Sequence, residues 1–133
     1  MTPVSPIDLP AHWAFVEAGL NAIIRLTGEE WTPTHVKCAI HHGAAFLHVC
    51  EDGFAVLEPS RELWTGRPYM NVWALWFKPG RAKARRAELF AWLDEKAKAA
   101  GLFPWKFGSP RMGWGALEDN EMEIERVIWR RKT

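Results

Sequence analysis

The fold is decided by residues 71–101, whose sequence is NVWALWFKPGRAKARRAELFAWLDEKAKAAG. The apolar run 71–77 predicts a strand and Pro79-Gly80 a turn, and the helix that follows from Arg81 ends at Gly101. A strand, a turn and a helix start in succession present unpaired backbone N–H groups and the positive end of a helix dipole. The first helical turn carries arginine and lysine, although Asp or Glu is the stabilising choice there. These residues therefore predict either a phosphate site or a basic face in solvent.

Two helices are predicted before this stretch. The first is capped by Asp8 and ends near Gly28. The second has Thr32 as its cap and Pro33 at its first helical position, and it stops at Gly43. Apolar residues recur at helical spacing in both segments, so each helix is expected to bury one face.

A β-hairpin is predicted between the second helix and the decisive stretch. Residues 45–50 and 54–57 are apolar and flank the turn Glu-Asp-Gly at 51–53. Neither run alternates cleanly with polar residues, which indicates a sheet covered on both faces. Residues 58–68 contain two prolines and a glycine and are predicted to be a loop. The strand at 71–77 then extends the hairpin into a meander.

The segment after Gly101 completes the predicted sheet. Residues 102–107 are apolar enough for a strand, in which Pro104 belongs at an edge or a splayed position. The helix that joins this strand to residues 71–77 makes the pair parallel. A last strand is predicted at 121–130. The expected fold class is α/β (α+β): one domain of residues 1–133 with a mixed, mostly antiparallel sheet and helices on both faces.

Composition restricts the class of protein. The 133 residues are 48% hydrophobic and 25% charged, as in a soluble globular domain. A formal net charge of +1 argues against binding of nucleic acid over the whole surface. The chain has neither a signal-peptide pattern nor an apolar stretch of membrane-spanning length, so no membrane partner is expected. Two cysteines make no disulfide framework, and the expected location is the cytoplasm.

The order of elements resembles the GNAT superfamily of N-acetyltransferases, in which two helices precede a meander and a strand–loop–helix unit. The loop of that family is Arg/Gln-x-x-Gly-x-Gly/Ala, and its helix ends in Ala-x-x-x-Gly. Counting back from Ala97 and Gly101 places Arg81 at the family's arginine position, and Ala84 and Arg86 at its two glycine positions. The resemblance covers most of the chain by element order and residues 72–101 by motif.

This resemblance implies an acyl-CoA N-acyltransferase that moves an acetyl group from acetyl-coenzyme A to a primary amine of a small molecule or protein. The last strand residues would pair with the pantetheine amides, and the helix start would hold the pyrophosphate. The implied coenzyme-binding residues are Leu75, Phe77, Arg81, Ala82, Lys83, Ala84, Arg85 and Arg86. The family's tyrosine general acid has no counterpart, because the only tyrosine is Tyr69. Catalytic residues are therefore not assigned, and the coenzyme loop is expected to be degenerate.

The resemblance also places Arg111 and Trp114 beside the substrate groove. The compact pattern is similar to that of short GNAT-like proteins encoded by tailed phages. Two other functions stay open. One is a non-catalytic phage structural or interaction protein on the same fold, with a phage protein as its partner; the nine tryptophans and the missing loop glycines favour it. The other is binding to a nucleic-acid phosphate backbone through residues 81–86 and 130–132.

Histidines and cysteines form two groups along the chain. His35, Cys38 and His42 share one helix stripe, and His48 and Cys50 share one strand face. Neither spacing matches a zinc signature, so we expect no metal and two free thiols.

Two tryptophans lie in the strand of the decisive stretch. Because side chains alternate along a strand, Trp73 and Trp76 are predicted to point to opposite faces. One of them should then be in the core and the other beside the groove.

Overall fold

A five-stranded mixed sheet lies at the centre of the computed structural model, which describes residues 1–108 and Arg131. The elements in chain order are β1 (Thr2–Val4), α1 (Leu9–Thr27), α2 (Pro33–His41), β2 (Phe46–Cys50), β3 (Gly53–Arg61), β4 (Pro68–Phe77), α3 (Ala82–Ala99) and β5 (Trp105–Lys106). The strands lie side by side in the order of their numbers. Neighbours are antiparallel except β4 and β5, which are parallel and joined by α3. The predicted fold class and the predicted parallel pair are confirmed.

The helix ends follow the local signals in the sequence. Thr32 accepts a hydrogen bond from the backbone of His35, whose side chain accepts one from Thr32 in return, so both residues form a capping box. Asp8 stands at the predicted cap position of α1, but its side chain makes no cap bond. It accepts a hydrogen bond from Ser5 Oγ at 3.0 Å instead.

Both faces of the sheet are covered, as the lack of alternation predicted. On one face, α1 and α2 pack against the sheet; on the other, α3 does. The first core contains the buried residues Leu9, Val16, Leu20, Val36, Ile40, Ala45, Leu47, Phe54, Val56 and Ala74. The second contains Ala55, Leu57, Met70, Val72, Leu89, Leu93 and Ala97. The sheet therefore fixes the start of α3 on the face opposite α1 and α2.

The segment predicted as a long loop is largely strand. β3 continues through Pro59 to Arg61, and β4 begins at Pro68, so only residues 62–67 connect them. Pro59 is tolerated because the pairing of β2 with β3 ends at Leu57. On the β2 side, position 59 has no neighbouring strand, so the N–H that proline lacks is not needed for a hydrogen bond there. The loop prediction for residues 58–61 was wrong because proline is compatible with such an edge.

One strand of the sheet, β1, was not predicted from the sequence. β1 pairs with β2 through the partners Thr2↔Val49, Pro3↔His48 and Val4↔Leu47. Three residues with a proline at the centre and another at Pro6 give no strand signal of their own, so β1 is formed through its pairing with β2. The predicted strand at residues 121–130 lies outside the described residues.

A β-bulge in β4 changes the direction of its side chains. Val56 faces Ala74 and Leu57 faces Val72, so Trp73 is an extra residue without a partner on β3. As a result, Trp73 and Trp76 both pack against the core of α1 and α2. The prediction that they point to opposite faces was wrong, because one extra residue reverses the alternation.

Candidate functional site

A gap opens between β4 and β5. The two strands pair only at Met70↔Trp105 and Asn71↔Lys106. From residue 72 to residue 77, no described strand pairs with the side of β4 that faces away from β3, and we call this side the open edge. β5 itself is held on α3, because the indole N–H of Trp105 donates to Asp94 Oδ1 at 2.7 Å. The gap therefore lies beside an anchored strand and runs along β4 from residue 72 towards the start of α3.

The backbone of Leu75 and Phe77 points to the open edge. The N–H of Lys78 donates to the carbonyl of Asp52 at 2.7 Å, so Lys78 directs its backbone towards β3. Backbone groups alternate in direction along a strand, as side chains do. Phe77 and Leu75 therefore direct theirs to the opposite side. At the other end of β4, before the bulge, the Met70 N–H donates to the carbonyl of Leu102 at 2.8 Å. The backbone N–H of Met70 therefore also points to the side of β4 that faces away from β3.

Three backbone amides are available at the start of α3. The Arg81 N–H donates to Lys78 at 3.1 Å, and the Arg85 N–H donates to Arg81 at 3.2 Å. Between them, the amides of Ala82, Lys83 and Ala84 make no hydrogen bond to any residue of 1–108. The first turn of α3 contains no acidic residue, and no side chain caps it. This helix end is a positive, donor-rich surface suited to an anion.

The glycine positions of the family loop have ordinary helical backbones here. Ala84 and Arg86 both lie within α3, and no non-glycine residue in the described ranges has a positive φ angle. Ala84 is exposed, so its methyl group faces solvent. Alanine and arginine therefore occupy these positions without backbone strain.

The four cations of the helix start do not share one environment. Arg81, Lys83 and Arg86 are exposed and form no ion pair with a carboxylate of residues 1–108. The Arg85 guanidinium is engaged instead: its Nε lies 3.2 Å from Asp52 Oδ2, and its NH1 lies 3.6 Å from Glu88. The predicted coenzyme-binding charge thus divides into three unpaired cations and one that is tied to the hairpin turn.

Asp52 lies beside the start of α3 and was not singled out by the sequence. It lies in the turn between β2 and β3 and is only 6% exposed. Cys50 Sγ donates to its Oδ1 at 3.2 Å. This hydrogen bond, together with the nearby Arg85 charge, lowers the pKa of the Asp52 carboxyl below its ordinary value. From sequence, Asp52 signals only a turn, because its partner Arg85 is 33 residues away.

A second carboxylate lies beside the closed end of the gap. Glu58 Oε1 accepts a hydrogen bond from Asn71 Nδ2 at 2.6 Å, and Asn71 is the last β4 residue that pairs with β5. Both side chains alternate with Leu57 and Met70, which face α3, so they lie on the face of α1 and α2. Trp73 lies on the same face. This half-buried carboxylate was not singled out by the sequence.

The histidine and cysteine groups have other roles in the structure. His35 Nδ1 accepts from the Thr32 N–H at 3.0 Å, and Cys38 is exposed. Within the described ranges, no cluster of three or more His, Cys, Asp or Glu side chains is arranged to hold a metal ion. Both cysteines are free thiols, as predicted.

Two further observations concern the remaining predictions. Arg111 and Trp114, predicted to border the substrate groove, lie outside the described residues. No helix of the part of the chain that the structure describes has the length and hydropathy needed to cross a membrane.

Comparison with known proteins gives matches in structure only. No family model and no curated protein sequence matches the chain. Its structure is similar to a ribosomal-protein-alanine N-acetyltransferase from Brucella melitensis, with a TM-score of 0.66, 14% identity and coverage of 99% of this chain and 96% of that one. It is also similar to the aminoglycoside 6'-N-acetyltransferase AAC(6')-Ih from Acinetobacter baumannii, with a TM-score of 0.64, 14% identity and coverage of 99% and 96%. A soil-metagenome aminoglycoside acetyltransferase, meta-AAC0020, has a TM-score of 0.65 at 11% identity over 98% and 93% of the two chains. At such identities these likenesses establish the fold.

Proposed function

From the GNAT N-acetyltransferase fold that this chain shares with its structural neighbours, we propose that it binds acetyl-coenzyme A and transfers the acetyl group to a primary amine. The observation that carries the proposal is the meeting of two features at one place. The open edge of β4, with backbone groups at Leu75 and Phe77, ends beside the three amides at the start of α3 that have no partner among residues 1–108. The pantetheine amides of the coenzyme need unpaired backbone groups of a strand, and its diphosphate needs N–H donors at the end of that strand.

The residues present fit the coenzyme. The amides of Ala82, Lys83 and Ala84 would donate to the diphosphate, and the unpaired Arg81, Lys83 and Arg86 would add charge. Such charge-assisted hydrogen bonds are about twice as strong as neutral ones. When bound, the coenzyme supplies an activated acyl group as a thioester. The protein's own contribution is to hold the ligand along β4 and the amine beside it.

The amine must lose a proton before it can attack, and Glu58 is the acceptor we propose. Its carboxylate is oriented by Asn71 at the closed end of the gap, on the sheet face that carries Trp73. A proton acceptor must lie within hydrogen-bonding distance of the amine, directly or through one water. The variant Glu58→Gln should therefore bind coenzyme A like the wild type and lose acetyl transfer by roughly 10²-fold or more. Unchanged transfer in this variant would remove Glu58 from the mechanism.

Calorimetric titration with acetyl-coenzyme A tests the binding site. Replacing Arg81 and Arg86 together by Glu should abolish binding, because each charge-assisted contact contributes on the order of 1.5–3 kcal/mol. A matched control replaces the exposed Arg25 and Lys96 by Glu, with the same change of net charge away from the helix start, and should bind nearly as well as the wild type. Equal binding by wild type and the Arg81/Arg86 variant would place the phosphate site elsewhere.

Release of free coenzyme thiol tests the transfer step. Suitable acceptors are a peptide with an amino-terminal alanine and an aminoglycoside, because neighbours of the same fold are named for these classes. We expect the acceptor to be the amine of a small molecule or of a protein. We expect no membrane partner for this chain. Arg111 and Trp114 stay proposed as groove residues, and Arg111→Ala should then reduce transfer with little change in stability.

A non-catalytic interaction role is the second candidate, and one observation favours it. The loop between β3 and β4 is closed by backbone hydrogen bonds from Glu62 to Arg67 at 2.9 Å and from Gly66 to Glu62 at 3.0 Å. It presents Leu63 and Trp64 to solvent at 75% and 88% exposure. A phage origin with a phage protein as partner belongs to this candidate and stays a prediction. A chain that binds no coenzyme while Trp64→Ala abolishes capture of its partner would favour it.

A further inference from the structure

Asp52 joins the hairpin turn to both ends of the turn between β4 and α3. Its carbonyl accepts from the N–H of Lys78, the first residue after β4, at 2.7 Å. Its carboxylate accepts from Nε of Arg85 at 3.2 Å. The amides of residues 82–84, which have no partner among residues 1–108, lie between these two attachment points in the chain. A single residue of the hairpin therefore contacts the chain on either side of them.

The attachment point is itself rigidly held. Asp52 is buried, and the single S–H of Cys50 lies within donating distance of its carboxylate, with Sγ 3.2 Å from Oδ1 and 3.5 Å from the carbonyl of Gly53. A buried carboxylate is stable only when its oxygens are hydrogen-bonded or paired, and here Cys50 and Arg85 supply both partners. The anchor therefore has a fixed geometry relative to the sheet.

We infer that Asp52 is a positioning residue for the proposed coenzyme site. By holding Arg85 and Lys78, it keeps the amides of residues 82–84 in the place where a diphosphate would be bound. The inference rests on the proposed function, since it concerns the same site. Preorganised donors raise affinity because the ligand does not have to order them on binding.

Because Asp52 is negatively charged, a positioning role and a purely electrostatic role predict opposite changes in coenzyme affinity when its charge is removed. Asp52 is negative and lies near a site for an anion, so by Coulomb's law alone its removal should strengthen binding. A positioning role predicts the opposite sign: removal should weaken binding although the site becomes more positive. Lysine at position 85 keeps the charge and lacks the Nε–H group, so it tests geometry without changing charge.

The experiment compares coenzyme A titrations of Asp52→Asn, Arg85→Lys and the double variant, with Glu88→Gln as control. Glu88 is the exposed partner of Arg85, and its replacement changes net charge by the same amount as Asp52→Asn. We expect Asp52→Asn and Arg85→Lys each to weaken binding roughly fivefold or more, and the double variant to be no weaker than Asp52→Asn. Glu88→Gln should bind as tightly as the wild type or slightly more tightly.

Two results would overturn the inference, and they differ from each other. If the wild type binds coenzyme A and both Asp52→Asn and Arg85→Lys bind it with equal or higher affinity, the positioning role is excluded and the proposed function stands. A wild-type chain that binds no coenzyme A removes both. Thermal unfolding of each variant shows that the fold is intact, and the half-exposed Arg85 gives the decisive variant if Asp52→Asn is too unstable to titrate.

Discussion

Trp31 and Trp73 meet edge to face, with their ring centroids 6.1 Å apart at an interplanar angle of 80°. Trp31 lies in the connection between α1 and α2, and Trp73 is the extra residue of the β4 bulge. The contact thus ties the connection between the first two helices to the strand that borders the gap. Without the bulge, alternation would turn Trp73 to the face of α3 and the pair could not form.

The contribution of this pair can be measured by a double-mutant cycle. Replacing Trp31 and Trp73 by Ala, singly and together, should give a coupling of about 0.5–1.5 kcal/mol in denaturant unfolding, as expected for an edge-to-face aromatic pair. The same cycle on Trp31 and Trp92, which lies on the opposite face of the sheet, should be additive. Additivity for Trp31 and Trp73 would mean that the contact contributes nothing beyond burial.

Gly19 determines how closely α1 approaches the sheet. A Cβ atom added there would overlap the buried ring of Phe54 and lie 2.9 Å from Cδ2 of Trp76. Because Phe54 is fully buried, it has no space to move into, and Gly19→Ala should destabilise the fold by about 1–3 kcal/mol. At the control position, a Cβ atom added to Gly108 meets no atom of the described residues within 4 Å, and Gly108→Ala should be nearly neutral. Equal denaturant midpoints for the two variants would contradict the close approach.

His48 should make stability depend on pH. Burial, the charge of Lys96 and the amino terminus lower the pKa of His48 from 6.5 to about 4. The unfolded chain takes up this proton as pH falls through 6.5, whereas the folded chain does so only near 4, so stability decreases across that window and not below it. His48→Phe keeps a ring against Trp92 and should flatten this part of the profile. An unchanged profile would show that His48 protonates freely in the fold.

The two thiols should differ in reactivity. Cys38 is exposed, whereas burial and the hydrogen bond to Asp52 raise the pKa of Cys50. Since the thiolate is the reacting form, a chromogenic disulfide reagent should modify Cys38 quickly and Cys50 slowly. Cys38→Ser should retain the slow phase alone. A single fast phase for both thiols would mean that Cys50 does not hold its bond to Asp52.

Local signals account for the parts of the fold that the sequence predicts. The turn at Pro79-Gly80, the capping box of Thr32 and the hairpin turn before Gly53 each involve neighbours in the chain, and each is found where expected. The parallel pairing of β4 and β5 follows from the length of the connecting helix. The open edge beside the start of α3 follows in turn from these elements.

The missed features depend on residues far apart in sequence. β1 is ordered by its pairing with β2, and the bulge at Trp73 appears only in the register between two strands. Asp52 acquires its role from Arg85, which is 33 residues away. The local pattern contains no information on such partners. It therefore predicts a row of four cations at the candidate site, whereas the structure shows one of them, Arg85, paired with Asp52 and three without a carboxylate partner among residues 1–108.

The bulge at Trp73 also bears on how the protein behaves at high concentration. A straight row of unpaired strand groups is a template for pairing with another molecule, and a bulge twists such an edge so that a flat strand no longer matches it. The open edge of β4 begins at this bend. Among the described residues, this bend therefore makes the edge a poor match for a flat strand of another molecule, which opposes the strand-to-strand stacking that leads to aggregates.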